Sequence, residues 1–385
     1  MGLGFFLNQK DNVMKKFLLI LTTLLPITAT AQLDGAGYYR VKNYKTQRYI
    51  TITDDVIGEV DMTTFEPDLS NITTLKGFDN VKSDPASIIY FEPVGSKWNM
   101  IAQGVNVYEV AEKRSYITVT KNSSGYYTFS ATASGITLKL SDSKNSGNEG
   151  YVTTKNTGEY TWWDIKPIDT ADNYLGLQPT VKANDGYYGT LYAALPFKVH
   201  SSDIKIYYVD GVKSGIFQLK EITSEVIPAS TPLVFKCSSD DPSKNIIVPV
   251  LANSDVPTDN YLDGTLFDKK FPKHNAYKTY DASTMRVLGV NNEGKLTFTT
   301  ANSSDLTDEK FIPKNTCWLN VPNGLSGDFK LVSRDDYTGI KNIEATPQRN
   351  SVKGIYTLTG VQVDENKDLR PGIYIKNGKK IIIKK

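Results

Sequence analysis

Short alternating runs, separated by clusters of Gly, Asn and Asp, constrain this chain more than any other feature. Tyr49-Ile50-Thr51-Ile52-Thr53, Tyr116-Ile117-Thr118-Val119-Thr120, Ile136-Thr137-Leu138-Lys139-Leu140 and Lys205-Ile206-Tyr207-Tyr208-Val209 repeat with a period of two. Successive strand side chains point to opposite faces, so this period marks half-buried strands and not amphipathic helices. The 23 Tyr, 15 Phe and 4 Trp belong with that reading, because aromatic and β-branched residues suit a pleated surface. The expected fold class is all-β.

The start of the chain reads as an address. Lys15 and Lys16 precede an apolar run from Phe17 to Ile27, and Ala29-Thr30-Ala31 precedes Gln32. A basic segment, a short apolar segment and small residues before the cut describe a secretory leader over residues 1–31, with Met14 as the expected true start. The run is too short to cross a bilayer, which takes about 20 apolar residues. Gln32 would then be first, and without a cysteine there no lipid anchor is expected. The mature chain is expected to be exported, with no integral membrane segment. Its 44 Lys plus Arg against 42 Asp plus Glu give no general field toward nucleic acid or anionic lipid, which argues against a polyanion partner.

Three regions follow. In residues 33–168, Arg48-Tyr49-Ile50-Thr51, Ser115-Tyr116-Ile117-Thr118 and Gly150-Tyr151-Val152-Thr153 read as copies of one strand, with an insertion from Asp54 to Asp84 in the first. Gly37-Tyr38-Tyr39-Arg40-Val41-Lys42-Asn43 followed by Arg48-Tyr49-Ile50 resembles the opening hairpin of ricin-type β-trefoil lectin domains. Tyr90-Phe91-Glu92-Pro93 and Trp162-Trp163-Asp164-Ile165-Lys166-Pro167 resemble their closing strands. The resemblance implies a β-trefoil-like domain and carbohydrate binding, although the family's Gln-x-Trp motif is absent. Sugar recognition uses an aromatic face and short polar groups. Asn43, Tyr44, Tyr49, Asp54, Trp162 and Trp163 are therefore the candidate ligand-binding residues. Tyr49, Tyr116 and Tyr151 fit better as core aromatics that cap the repeats, and of the Trp pair one should face the core and the other outward.

Residues 169–332 contain a doubled pattern. Ile227-Pro228 before Leu233-Val234 is echoed by Ile312-Pro313 before Cys317-Trp318-Leu319, each after an expected hairpin around Asp210-Gly211 or Asn292-Glu293-Gly294. With Gly189-Thr190-Leu191-Tyr192, this looks like a sandwich-like β module of exported Bacteroidota-type proteins, and implies a spacer or adhesive surface. Residues 338–385, with Gly354-Ile355-Tyr356, Leu369-Arg370-Pro371-Gly372 and Asn377-Gly378, resemble the C-terminal sorting domains of type IX secretion substrates. That implies a small β-sandwich-like tail, contact with secretion machinery, and outer-membrane or extracellular display, or a periplasmic location without sorting.

Chemistry is thinly supplied. His200 and His274 are the only histidines and stand in no ligand spacing. No Gly-x-Ser-x-Gly elbow occurs. The doublets Asp54-Asp55, Asp240-Asp241 and Asp335-Asp336 read as solvated turns and not calcium loops. Cys237 and Cys317 could form one disulfide or stay as two buried thiols. Asp169-Thr170-Ala171 matches the short O-glycosylation pattern of such exported proteins, at Thr170. The expectation is a non-enzymatic, cofactor-free and metal-free protein that binds glycan or a host or cell-surface protein. The alternatives are a trefoil-type inhibitor using the Asp54 to Asp84 loop, and a secreted glycoside hydrolase, which needs only two suitably spaced carboxylates.

Overall fold

A computed structural model describes residues 35–53, 73–107, 116–133, 135–144, 149–213, 215–252, 254–268, 277–322 and 325–334, with Leu33, Tyr337 and strand pieces at 60–61, 66–67, 109–110, 113–114, 355–357, 362–363, 372–376 and 379–383. The expected leader, Asp54 and His274 lie outside the described residues. What is described is all-β, and none of its helices is long and apolar enough to cross a membrane.

The first region contains Gly37–Asn43 (β1), Tyr49–Ile52 (β2), Thr73–Lys76 (β3), Ile89–Val94 (β4), Lys97–Ala102 (β5), Thr118–Lys121 (β6), Tyr127–Ala133 (β7), Ile136–Lys139 (β8), Ser141–Asp142 (β9), Val152–Thr153 (β10) and Trp163–Pro167 (β11). Six of these close into a ring. β1 pairs with β4, β4 with β5, β6 with β7, β7 with β11, and β11 returns to β1. β5 meets the start of β6 through Trp98 and Ile117, joined by two backbone hydrogen bonds of 2.9 and 2.8 Å. Closure satisfies backbone groups that an open edge would leave exposed. Outside the ring, β2 pairs with β1 and β3, β8 with β7, and β9 with β10.

Alternation turns Val41, Phe91, Met100, Phe129 and Trp163 into one buried cluster. Trp163 is wholly buried and its indole N–H donates to the Leu140 carbonyl at 3.1 Å. Trp163→Phe keeps most of the volume but strips that carbonyl of its donor, and should cost about 1–3 kcal/mol in urea unfolding. A loss under about 0.5 kcal/mol would show that the carbonyl finds another donor.

The three aromatic-led strands do not occupy equivalent places. Ile50 lies in β2, Ile117 at the ring closure before β6, and Val152 in β10. The residue after each tyrosine is the core one; Tyr49 and Tyr151 are half-buried and Tyr116 is exposed. The expected insertion is also shorter than Asp54 to Asp84. β3 pairs along its length with β2, Val81 is buried in a helical turn at Phe78–Val81, and Asp84 accepts from the Ala86 N–H at 3.0 Å. Residues 73–84 thus belong to the fold.

The second region is a ten-stranded sheet over a three-stranded one. Its strands are Leu175–Gly176 (β12), Val181–Ala183 (β13), Gly186–Leu191 (β14), Phe197–Val199 (β15), Lys205–Lys213 (β16), Ile216–Glu221 (β17), Leu233–Cys237 (β18), Ile246–Pro249 (β19), Leu262–Thr265 (β20), Met285–Val290 (β21), Leu296–Thr299 (β22), Thr316–Asn320 (β23) and Phe329–Ser333 (β24). The large sheet runs β13-β14-β18-β16-β17-β24-β22-β21-β23-β20 and the small one β12-β19-β15. The doubled sequence is doubled in the pairing: β14-β18-β16-β17 in one half and β20-β23-β21-β22 in the other. In both halves the strand after the Ile-Pro pair lies beside the first strand of the hairpin. Gly189 lies under the Phe235 ring and Gly264 under the Tyr192 ring, where any Cβ would overlap the aromatic carbons.

One hairpin turn differs from expectation. Asp210-Gly211 is a bulge inside β16, with a register shift between Asp210 and Val212, and the chain reverses after Lys213. Gly211 takes a φ of 64°, so the pair suits a bulge as well as a turn. The second hairpin reverses at Asn291 to Lys295, as expected, with the Asn291 Oδ1 accepting from the Glu293 and Lys295 N–H groups.

The two regions keep separate sheets but share cores. Ile88 and Tyr38 pack into the second region's cluster, while Leu266 and Phe267 pack into the first region's. Arg40 is wholly buried at this seam. Its guanidinium donates to the Ser87 Oγ at 3.0 Å, the Asn173 Oδ1 at 3.2 Å, and the Tyr174 and Val81 carbonyls at 2.7 and 2.9 Å. Lys314 donates to Asp84 across the seam at 2.6 Å.

The described tail pieces form a four-stranded sheet, Gln362–Val363 (β26) beside Ile355–Thr357 (β25), then Gly372–Lys376 (β27) and Lys379–Ile383 (β28). Lys376 pairs with Lys379; the expected Asn377-Gly378 turn lies outside the described residues.

Of the two states open to the cysteines, the buried thiols are the one found. Burial raises the Cys237 thiol from 9.0 to about 11, and burial aided by Glu221 raises the Tyr207 hydroxyl from 10.0 to about 12. The folded state favours both protonated forms. Their contribution is therefore complete below pH 9 and is lost as pH climbs through the raised values. The buried Arg40 guanidinium, pulled down to about 10 by desolvation, works in the opposite sense above that pH. Urea titrations should give a flat unfolding free energy from pH 7 to about 9 and a decline beginning between pH 9 and 10. A flat profile through pH 10 would contradict this.

Candidate functional site

The end of β1 builds a surface patch from a buried base. Asn43 is wholly buried, and its Oδ1 accepts from the Lys45 and Thr46 N–H groups at 3.0 and 3.2 Å. Its Nδ2 donates to the Tyr160 carbonyl at 2.8 Å. These bonds fold residues 43–48 into a tight turn that holds Tyr44 outward. The Tyr44 N–H donates to the Trp162 carbonyl at 2.8 Å, which fixes the two side chains beside each other. A second asparagine does similar work: the Asn122 Oδ1 accepts from the Ser124 and Tyr126 N–H groups, both at 3.0 Å, and delivers Tyr126 to the same place.

Three half-buried rings result. Tyr44 and Tyr126 have centroids 4.3 Å apart, Tyr44 and Trp162 5.6 Å, and Tyr126 and Trp162 6.2 Å with a 12° angle between planes. Tyr160 adds a fourth ring nearby, with the Lys144 Nζ 4.8 Å above it. Lys45 pairs with Glu159 at 2.8 Å. Beneath the patch lies a buried ion pair. Arg48 donates to both oxygens of Asp142, while Asp142 also accepts from the Thr46 hydroxyl at 2.6 Å and the Lys144 N–H at 2.9 Å.

The six expected ligand residues are dispersed by this arrangement. Tyr44 and Trp162 meet at the patch. Asn43 lies below it and is consumed by turn hydrogen bonds, so it shapes the site without facing a ligand. Trp163 is a correction, because the strand alternation that exposes Trp162 sends Trp163 into the core. Tyr49 stands apart, half-buried with its ring 5.8 Å from Phe78. Tyr126, Tyr160 and Lys144 were not anticipated. The Asn122-Ser123-Ser124-Gly125 turn ahead of Tyr126 was the legible signal, since it repeats the use of asparagine before an outward tyrosine.

A cavity of about 350 Å³ in the second region is the other candidate, lined by Val181, Thr190, Leu288, Ile312, Thr316 and Cys317 among others. Burial pushes the Cys317 thiol up, away from thiolate chemistry. Asp305, at its rim, accepts from the Asn302 N–H at 2.7 Å as a helical cap. No group of three or more His, Cys, Asp or Glu suited to a metal occurs among the described residues. The aromatic patch is the better-built site.

No family pattern matches the chain, and no curated protein matches it. A solved structure described as "Structure and mode of action of a mosquitocidal holotoxin" is similar over 74% of this chain at 11% identity, with a TM-score of 0.26. The match covers 34% of that structure's chain.

Proposed function

We propose that this is an exported, non-enzymatic, carbohydrate-binding protein whose first region is β-trefoil-like, with Tyr44, Tyr126 and Trp162 as the sugar platform. The ring of six strands with paired strands outside it supports the trefoil reading, since that fold closes three strand pairs into a barrel. The observation that carries the function is the meeting of three rings, from three separate chain segments, at one surface. Aromatic faces pack against the apolar face of a pyranose while nearby hydroxyls and charges reach its polar rim. A half-buried platform suits surface glycans better than a free metabolite, which a deep pocket would enclose.

The leader and the sorting-like tail support delivery to the cell surface or the medium, with the second region as a rigid spacer. Thr170 sits exposed at the start of that spacer, accessible to the proposed O-glycosylation. A glycan array probed with residues 32–385 should give signal that Trp162→Ala reduces by about tenfold, the weight of a lost stacking contact. Its melting temperature should stay within about 4 °C of the wild type, because a half-buried ring holds little of the core. A blank array for the wild-type protein would remove the lectin reading.

A further inference from the structure

The rim of the patch is cationic, although the chain as a whole is nearly balanced. Lys45 lies within electrostatic reach of the Tyr44 and Tyr160 hydroxyls. Lys144 covers Tyr160 and is exposed, and its Nζ has no carboxylate partner among the described residues. Lys42 donates to the Gln47 Oε1 at 2.9 Å, and Gln47 in turn donates to the Tyr44 carbonyl at 2.6 Å. Against these three lysines stand Glu159, paired with Lys45, and Asp164, which faces Lys166 at 3.7 Å. Asp142 is buried and neutralised by Arg48.

Resting on the carbohydrate reading above, we propose that the patch selects acidic glycans, those carrying a carboxylate or a sulfate on the sugar ring. The rings take the apolar face of a pyranose, and the ammonium groups meet an anionic substituent at its edge. Lys144 is the first contact, because its ammonium is held 4.8 Å over the Tyr160 ring and has no acid to leave. Lys45 can exchange Glu159 for a ligand anion at little net cost, since exposed ion pairs are weak. A charged hydrogen bond of this kind is stronger than a neutral one to a sugar hydroxyl.

Isothermal titration of residues 32–385 with three hexasaccharides tests this: an oligogalacturonate, which carries carboxylates and no sulfate, a sulfated galactan fragment, which carries sulfates and no carboxylate, and neutral maltohexaose. In low salt at least one acidic probe should bind about tenfold tighter than the neutral one, with that advantage shrinking strongly near 0.5 M salt. Which acidic probe wins identifies the carboxylate or the sulfate as the recognised group. Lys144→Gln should remove about three- to tenfold of the acidic affinity and weaken neutral binding by much less, whereas Trp162→Ala should weaken every probe that binds to a similar degree. Equal, salt-independent affinity for acidic and neutral probes would overturn acid selectivity while leaving the platform intact. Binding of none of the three, with signal on a neutral array, would overturn it as well; binding of none and a blank array would remove both readings.

Discussion

Asp142→Ala should lower the unfolding free energy by about 3–5 kcal/mol, among the largest single effects in the first region. The carboxylate is wholly buried and serves Arg48, the Thr46 hydroxyl and the Lys144 N–H together. Its removal takes the Asp142 carboxylate from a buried guanidinium that also donates to the Glu149 carbonyl at 2.7 Å, and removing one partner of a buried ion pair costs more than the pair gains when formed. Arg48→Met with Asp142→Leu should therefore recover much of the loss, although each single change is severe. The loss should also reach the surface, because Thr46 and Lys144 are held by the same carboxylate. Urea unfolding followed by tryptophan fluorescence reads the energy, and a glycan titration of the refolded variant reads the patch. A loss under about 1 kcal/mol for Asp142→Ala would mean that water enters and solvates Arg48.

Arg40→Ala should cost a similar amount, about 3–5 kcal/mol, and should change the shape of the transition as well as its midpoint. Four acceptors converge on the guanidinium, two of them backbone carbonyls on opposite sides of the seam. Truncation leaves these acceptors buried, and Phe78, whose ring lies 5.4 Å from the guanidinium carbon, loses its cationic neighbour. Wild-type protein should unfold in one cooperative step across both regions. The variant should show two, with new protease cleavage between residues 166 and 176. Arg40→Lys should not rescue, since one ammonium cannot span the fork that a planar guanidinium fills. Retention of a single transition in Arg40→Ala would show that the shared apolar core couples the regions unaided.

The all-β class was legible because a period of two survives in local sequence. The second region's duplication was legible too, since Ile-Pro pairs lead strands in both copies. What sequence hid was long-range. Ile50, Ile117 and Val152 look like repeats because each follows a tyrosine, yet they hold three different places; the local pattern records burial and not strand order. Trp162 and Trp163 were split correctly in kind, because alternation is local. Asn43 reads as a ligand residue because a polar residue beside an aromatic looks alike whether its amide meets a sugar or, as here, closes a turn. Tyr126 lies far from Tyr44 in sequence, and only ring closure brings them together. Arg40 gave no signal at all: the acceptors that justify burying it lie 41 to 134 positions away.

The seam also limits how this chain can change by recombination. A crossover near residue 169 would cut where sequence marks a boundary, yet it would pair a foreign first region with acceptors that Arg40 no longer meets. It would also leave Phe267 without the apolar cluster it fills. The two regions should therefore be inherited as one segment, and relatives that carry either half alone should have replaced the arginine and the phenylalanine together.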